Sequence, residues 1–433
     1  MTVSKTVVLP LDDTPSHAET YATGNLALSR KTKIFFARQV QNCLKLKNYY
    51  AAGLFTAEEK SMPQNALQSP RIIRNLLPRH KRKTPPDLSA DIPFGRVHTD
   101  HMLVCDFLPH KGGWQTPEII PYGPFQLNPD AVVFHYGQQI FEGMKAYRTD
   151  LSQQDIFLFR PDQNAKRFAH SARQLGMEPV PEELFERCVK ELVAVDADWI
   201  LPSPGALYIR PTLIPLDEGV SYRASQTYRF FIILSPAKNY YAREVGVKVY
   251  IERERVRAVR GGVGDTKCGG NYAGALSSLV HARTMGAEQV LWLDALEHKF
   301  VEEVGAMNVM FVYGNTIITP ALGGSILPGI TRDSLISLAK SLNYEVKQEP
   351  VDINKVLSDA KSGVLSEIFG CGTAAVISPI DALIDGNETI LINNGKLGEC
   401  AAKLKQALTD IQTGLAPDTF NWRVKISTPP TAH

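Results

Sequence analysis

The run Gly261-Gly262-Val263-Gly264-Asp265-Thr266-Lys267-Cys268-Gly269-Gly270-Asn271-Tyr272 sets five glycines around a single lysine. Regular helix and strand both lose stability at that glycine density, so the backbone must turn sharply, and the missing side chains let another group come close. A lysine held in such a place is a candidate nucleophile toward a carbonyl, because desolvation and nearby cations favour its neutral amine. The same composition also suits a glycine-rich surface turn with a solvated lysine, and the segment alone does not separate the two. A nucleotide-type phosphate loop fits less well: it needs glycine before the lysine and Ser or Thr after it, where this chain has Thr266 and Cys268.

Strand and helix patterns alternate around this segment. Residues 156–159 read as a strand, and residues 164–175 place Phe168, Ala172 and Leu175 on one helical face. Residues 229–234 read as a buried strand. A helix is predicted from near Asn271, with Leu276, Leu279 and Val280 on one side and a stop at Gly286. Gly314-Asn315 is a two-residue hairpin turn between apolar runs at 309–313 and 316–319. At 433 residues the chain suits two domains, and the irregular mixture predicts an α/β or α+β class rather than a repeat or dinucleotide-binding fold. The expected division is an N-terminal extension over 1–85, a small α/β domain over 86–240, a charged connector over 241–255 and a large domain over 256–433.

Forty-seven Lys and Arg against 45 Asp and Glu leave a net charge of +2, which gives no field to gather nucleic acid or an anionic membrane. No apolar run reaches the ~18 residues a spanning helix needs, so small molecules or protein are the expected partners. The six cysteines are scattered without Cys-x-x-Cys or metal-ligand spacing, and a reducing compartment follows. No acidic residue falls between Thr20 and Ala57, while Arg30, Lys31, Lys33, Arg38, Lys45 and Lys47 recur among apolar positions. That is partly the make-up of a mitochondrial transit segment, yet Asp12, Asp13 and Glu19 precede it. Cytoplasmic placement is expected, with the mitochondrion as the alternative. The basic block at 79–83 before Pro85-Pro86 reads as a solvated linker.

Several blocks occur in order along residues 94–427: Thr99-Asp100-His101-Met102, Phe141-Glu142-Gly143-Met144-Lys145, the lysine segment, Glu303-Val304-Gly305-Ala306-Met307-Asn308, Leu327-Pro328-Gly329-Ile330-Thr331-Arg332 and Phe369-Gly370-Cys371-Gly372-Thr373-Ala374. With this set the chain closely resembles the branched-chain aminotransferases, two-domain enzymes of fold type IV that use pyridoxal 5′-phosphate (PLP). The resemblance implies that Lys267 carries the cofactor covalently and moves the substrate proton, that Glu303 faces the pyridine nitrogen, and that Tyr272 bonds the ring oxygen. Glu302 is the neighbouring alternative to Glu303, and register against Val304-Gly305 favours the latter. For the phosphate it implies Arg167 and Arg257, with Lys166 and Arg260 as their neighbours, the helix start at Ile330 and Thr331, and the Thr373 hydroxyl.

For substrate, the resemblance points to Phe94, Tyr136, Phe141, Tyr208 and Tyr240 around a branched aliphatic side chain, and to Arg210 for the second carboxylate of glutamate or 2-oxoglutarate. Lys145, Ala306 and Ala374 also align with pocket positions. Gly219-Val220 is expected to complete the pocket of a second subunit, which implies a homodimer. Each aromatic taken alone suits a core position equally. Two departures stand out: Ala375 and Ser378 replace a redox cysteine pair found in animal members, and Ala306 replaces a threonine near the substrate carboxylate. His98 and His101 are expected to be structural or solvated, and no metal is expected. A D-amino-acid transaminase or an aminodeoxychorismate lyase would keep the same lysine and phosphate groups, but the 141–145 block and the aromatic and arginine pocket favour the branched-chain class. A non-catalytic binding module of this fold is opposed by the intact Lys267, Glu303 and Tyr272 set.

Overall fold

A computed structural model describes residues 71–89, 92–149, 155–238, 246–395 and 398–426. Tyr240 and the extension over 1–70 lie outside the described residues. Within them the strands form two sheets. The first runs Ile73–Arg74, Glu118–Pro121, His101–Leu108, Tyr228–Ala237, Ala206–Pro215, Met144–Arg148, Ile156–Phe159 and Arg423–Ile426, nearly all antiparallel. The second runs Val301–Val304, Gln289–Leu293, Val247–Glu252, Val376–Asp385, Glu367–Gly372, Asn308–Tyr313, Thr316–Thr319 and Glu345–Gln348, with parallel and antiparallel pairs.

Seven helices are described: α1 (Val132–Tyr136), α2 (Pro161–Gln174), α3 (Glu182–Val195), α4 (Gly269–Thr284), α5 (Ile330–Ser341), α6 (Ile353–Ser362) and α7 (Glu399–Thr413). Pro161 opens α2, where its fixed φ and missing N–H cost nothing, and Ala165, Phe168 and Ala172 form its buried stripe. The Phe168 ring lies 5.2 Å from that of Phe185 on α3 and 5.6 Å from that of Phe230 in the first sheet, a three-ring centre for that core. The hairpin strands end and begin where the sequence puts Gly314-Asn315, and Gly314 takes φ of 58°.

Three expectations need correction. Val247–Glu252, expected within a connector, is a strand between two parallel neighbours: Val247, Val249 and Ile251 point inward while Lys248 is exposed. Arg423–Ile426, expected in the second domain, pairs with Ile156–Phe159 and closes the first sheet. Ile73–Arg74, expected in the extension, pairs with Glu118 and Ile119. The helix expected from near Asn271 is α4, which starts at Gly269 with Cys268 as its N-cap; on its apolar side Leu279 packs against a buried cluster while Leu276 is 57% and Val280 60% exposed.

The Thr99–Met102 block anchors the first sheet rather than the chemistry. The His101 ring is fully buried; its Nε2 accepts the Leu77 amide at 3.0 Å, so Nδ1 carries the hydrogen and donates to Asp196 at 2.6 Å. Asp100 accepts from Trp199 Nε1 at 3.1 Å and from the Lys83 amide at 3.0 Å. His98 stacks on Tyr122 with ring centroids 4.7 Å apart. Replacing Asp196 by Ala leaves the buried His101 ring and amide without their acceptor, and a loss of roughly 3 kcal/mol is expected in urea unfolding; a change under about 0.5 kcal/mol would show the contact to be incidental.

Candidate active site

The residues that end the first-sheet strands, begin α4 and α5 and turn between strands of the second sheet converge on a cavity of about 330 Å³. Lys267 enters it from the glycine-rich loop. Its backbone is held at both ends: its N–H donates to Ser171 Oγ on α2 at 3.0 Å, and its C=O accepts the Phe141 amide at 3.0 Å. The loop before it closes on itself, since Asn271 Nδ2 donates to the Val263 and Thr266 carbonyls at 2.8 and 3.0 Å. Gly264 is needed for closeness, because a Cβ there would lie 2.5 Å from the Ser325 oxygen. The Lys267 amine reaches Tyr272 Oη at 3.0 Å and sits 5.0 Å from the centre of the Phe141 ring. Tyr272 stands five residues on because the first turn of α4 brings it back over the lysine.

Glu303 faces the same cavity, from the Val301–Val304 strand. Its carboxylate pairs with Arg257 Nε at 3.0 Å and accepts the Leu327 amide at 2.9 Å and Asn308 Nδ2 at 3.4 Å. Burial raises its carboxyl pKa, and Arg257, the Leu327 amide and Lys267 oppose that rise. Glu302 points the other way and accepts the Ser325 hydroxyl. Arg257 lines the cavity, and its guanidinium also holds Glu303 and donates to the Gly264 and Ser325 carbonyls.

Arg167 lines the cavity as expected, but its charge is shared. Its Nε and Nη2 hold both oxygens of the fully buried Glu142 at 2.7 and 2.9 Å, and Nη1 donates to the Pro328 carbonyl at 3.1 Å. For Glu142, burial would raise the carboxyl pKa, yet Arg167, Lys267 and Asn164 outweigh it and the net shift is downward. The partnership spans 25 residues between a strand end and a helix, so no spacing rule could find it. Beside Arg167, α5 begins at Gly329 without a side-chain cap, and Gly329, Ile330 and Thr331 line the cavity with its free first amides nearby. A Cβ on Gly329 would fall 1.9 Å from Asn308 Oδ1, so only glycine fits. Thr373 and Ala374 line the opposite wall. This donor set suits a phosphate, and the amine, phenol and carboxylate set suits the rest of PLP.

Of the expected substrate residues, Phe94, Phe141, Tyr208, Arg210, Ala306 and Ala374 line the cavity. Phe94 and Tyr208 meet edge to face at 4.8 Å, and Arg210 lies 4.6 Å over Phe141 while donating to Tyr208 Oη at 2.9 Å. Gly143 makes room for that phenol, since a Cβ would lie 2.3 Å from it. Two expected residues are not in this cavity. Tyr136 is 40% exposed and joins Val220 and Tyr222 in an outward aromatic patch, its hydroxyl donating to the Val220 carbonyl. Lys145 lies behind the wall and donates to the Ala374 carbonyl at 2.8 Å. Lys166 pairs with Asp162 at 3.4 Å, and Arg260 donates to Gly323. Sequence reasoning missed Gln289, Trp292 and Leu327 as wall residues.

Comparison with known proteins agrees with this geometry. The family model described as amino-transferase class IV matches residues 139–383. The branched-chain-amino-acid transaminase 1 of Bacillus subtilis is 44% identical over 348 residues, 79% of this chain and 96% of that protein. The branched-chain-amino-acid aminotransferase of Mycolicibacterium smegmatis is 43% identical over 345 residues, covering 78% and 93% respectively. Among solved structures, a T.th. branched-chain amino acid aminotransferase complexed with N-(5′-phosphopyridoxyl)-L-glutamate superposes with a TM-score of 0.62 at 25% identity, over 76% of this chain and 100% of that one. By its matched residues, its relatives and its cavity, the chain belongs to the class IV aminotransferases.

Proposed function

We propose that this chain is a PLP-dependent branched-chain-amino-acid transaminase, which moves the amino group of leucine, isoleucine or valine to 2-oxoglutarate and runs in both directions. The observation that carries the reading is the Lys267 amine, 3.0 Å from Tyr272 Oη, in one cavity with a carboxylate that is itself held by Arg257. Relatives matched over nearly their full length bear that activity in their names, which supports the substrate class.

PLP, when bound, supplies an aldehyde that takes up the amino group and an electron-poor ring that stabilises negative charge on the substrate's α-carbon. Lys267, Tyr272, Glu303, Arg167, Ile330, Thr331 and Thr373 would hold it. Lys267 removes the proton from the amino acid's α-carbon and returns one to the 2-oxo acid in the reverse direction. The Tyr272 hydroxyl steadies that amine, and the loop fixed by Asn271 limits its travel. Glu303 offers negative charge to a protonated ring nitrogen. Phe94, Phe141 and Tyr208 wall off water and receive the branched side chain, whose burial contributes roughly 1.5–3 kcal/mol. Arg210 answers the second carboxylate of 2-oxoglutarate. Ala306 offers no hydroxyl in this wall.

The homodimer belongs to the same reading. Two exposed apolar surfaces support it: the Leu276 and Val280 face of α4, beside the cavity, and the patch of Phe134, Tyr136, Val220 and Tyr222. The latter is suited to cover a second subunit's pocket.

Purified enzyme is expected to form glutamate from 2-oxoglutarate with leucine, isoleucine and valine, and far more slowly with D-alanine; faster turnover with D-alanine would overturn the substrate class. Lys267→Ala is expected to abolish both turnover and the visible absorbance of bound cofactor, and retention of the parent rate would remove Lys267 from its role. Glu303→Gln should keep cofactor bound yet lower kcat by about 100-fold or more. Stopped-flow traces of the leucine half-reaction measure this directly, and a near-parental rate would refute it.

A further inference from the structure

Glu302 and Glu303 are neighbours on the Val301–Val304 strand, and strand alternation sends their side chains to opposite faces. Glu303 lines the cavity, whereas Glu302 is 8% exposed outside it. One Glu302 oxygen accepts the Ser325 hydroxyl; the other is buried without a hydrogen-bond partner among the described residues. Burial is also the largest influence on this carboxyl and raises its pKa. A half-satisfied carboxyl group in such surroundings costs stability, so its presence calls for another explanation.

Ser325 supplies one. Its hydroxyl is held by Glu302 and its carbonyl accepts Arg257 Nη2, while its backbone packs so closely on the lysine loop that a Cβ on Gly264 would lie 2.5 Å from its oxygen. Both oxygens of Glu303 are placed by groups tied to Ser325. Oε2 meets Arg257 Nε at 3.0 Å, on the same guanidinium that the Ser325 carbonyl orients. Oε1 accepts the amide of Leu327, two residues further on, at 2.9 Å. Pinned at Ser325, this short segment can move little before the Leu327 amide leaves Glu303.

We propose that Glu302 is a positioning residue for Glu303: by holding the Ser325 hydroxyl it fixes the Arg257 guanidinium and the Leu327 amide, which together aim the Glu303 carboxylate into the cavity. A charged group is only as well placed as the groups that hold it. Glu302 lies outside the cavity wall, and its effect on the chemistry passes through Glu303.

The inference rests on the proposed place of Glu303 at the ring nitrogen of PLP, and the experiment separates the two. The parent, Glu302→Ala, Glu303→Gln and the double variant are compared as PLP-loaded enzymes. One readout is the pH titration of the visible absorbance of bound cofactor, which needs no amino donor; the other is the rate of the leucine half-reaction. Glu302→Ala should move the titration midpoint in the direction that Glu303→Gln moves it, and should slow the half-reaction about tenfold. Apparent affinity for leucine should stay within about twofold, since the substrate wall is untouched. With Glu303→Gln already present, Glu302→Ala should add no further midpoint shift and less than about a twofold loss of rate. An equal loss in both backgrounds overturns the inference, because the effect would then bypass Glu303.

Two further variants test the hydrogen bond itself. Glu302→Gln keeps an oxygen that accepts the Ser325 hydroxyl and should recover the parent rate to within about twofold; a loss as large as that of Glu302→Ala overturns the inference. Ser325→Ala removes a single hydroxyl and should reproduce Glu302→Ala, so it carries the test if Glu302→Ala does not fold. Glu303→Gln that matches the parent in both readouts overturns the reading of Glu303 and this inference with it. Parental values in Glu302→Ala or Ser325→Ala, beside an altered Glu303→Gln, overturn the inference alone. Should leucine not react, the absorbance titration still decides it.

Discussion

Everything in the cavity depends on where the backbone of one residue is fixed. The peptide groups of Lys267 are gripped from opposite sides by the Ser171 hydroxyl and the Phe141 amide, both belonging to first-sheet structure, while its side chain reaches among groups of the second. A lysine side chain has four soft torsions, and an amine that must meet a carbon atom repeatedly gains little from a loose root. The glycines supply the close approach that makes this grip possible. A Cβ at position 264 would strike the Ser325 backbone.

Charge is arranged around that lysine in two buried acid–base pairs. Glu142 with Arg167 and Glu303 with Arg257 each cancel most of their own field, so neither arginine floods the cavity with positive potential and neither carboxylate is left alone in a medium of low polarity. The pairs differ in effect. At Glu142, Arg167, Lys267 and Asn164 together prevail over desolvation, whereas at Glu303 desolvation prevails. Each pair brings its arginine to the cavity wall.

Local features of the site were legible in the sequence because their causes are local. Glycine density around Lys267, the Pro328-Gly329 helix start and the Gly314-Asn315 turn each follow from backbone conformations that few residues tolerate. The choice of Glu303 over Glu302 depended on register against Val304-Gly305, and of the two only Glu303 lines the cavity. Features that arise from contact across the fold were not legible. Nothing in the spacing of Glu142 and Arg167 reveals a pair, nor does the spacing of Arg257 and Glu303. Val247–Glu252 read as a connector because charged residues surround it, although its own alternation is that of a strand. Tyr136 and Lys145 had the right neighbours in sequence, but one side chain points outward and the other lies behind the wall.

The strand Arg423–Ile426 ties the end of the described chain to Ile156–Phe159. During translation the second sheet's strands emerge before this last partner does, so the first sheet waits with an open edge while its companion assembles.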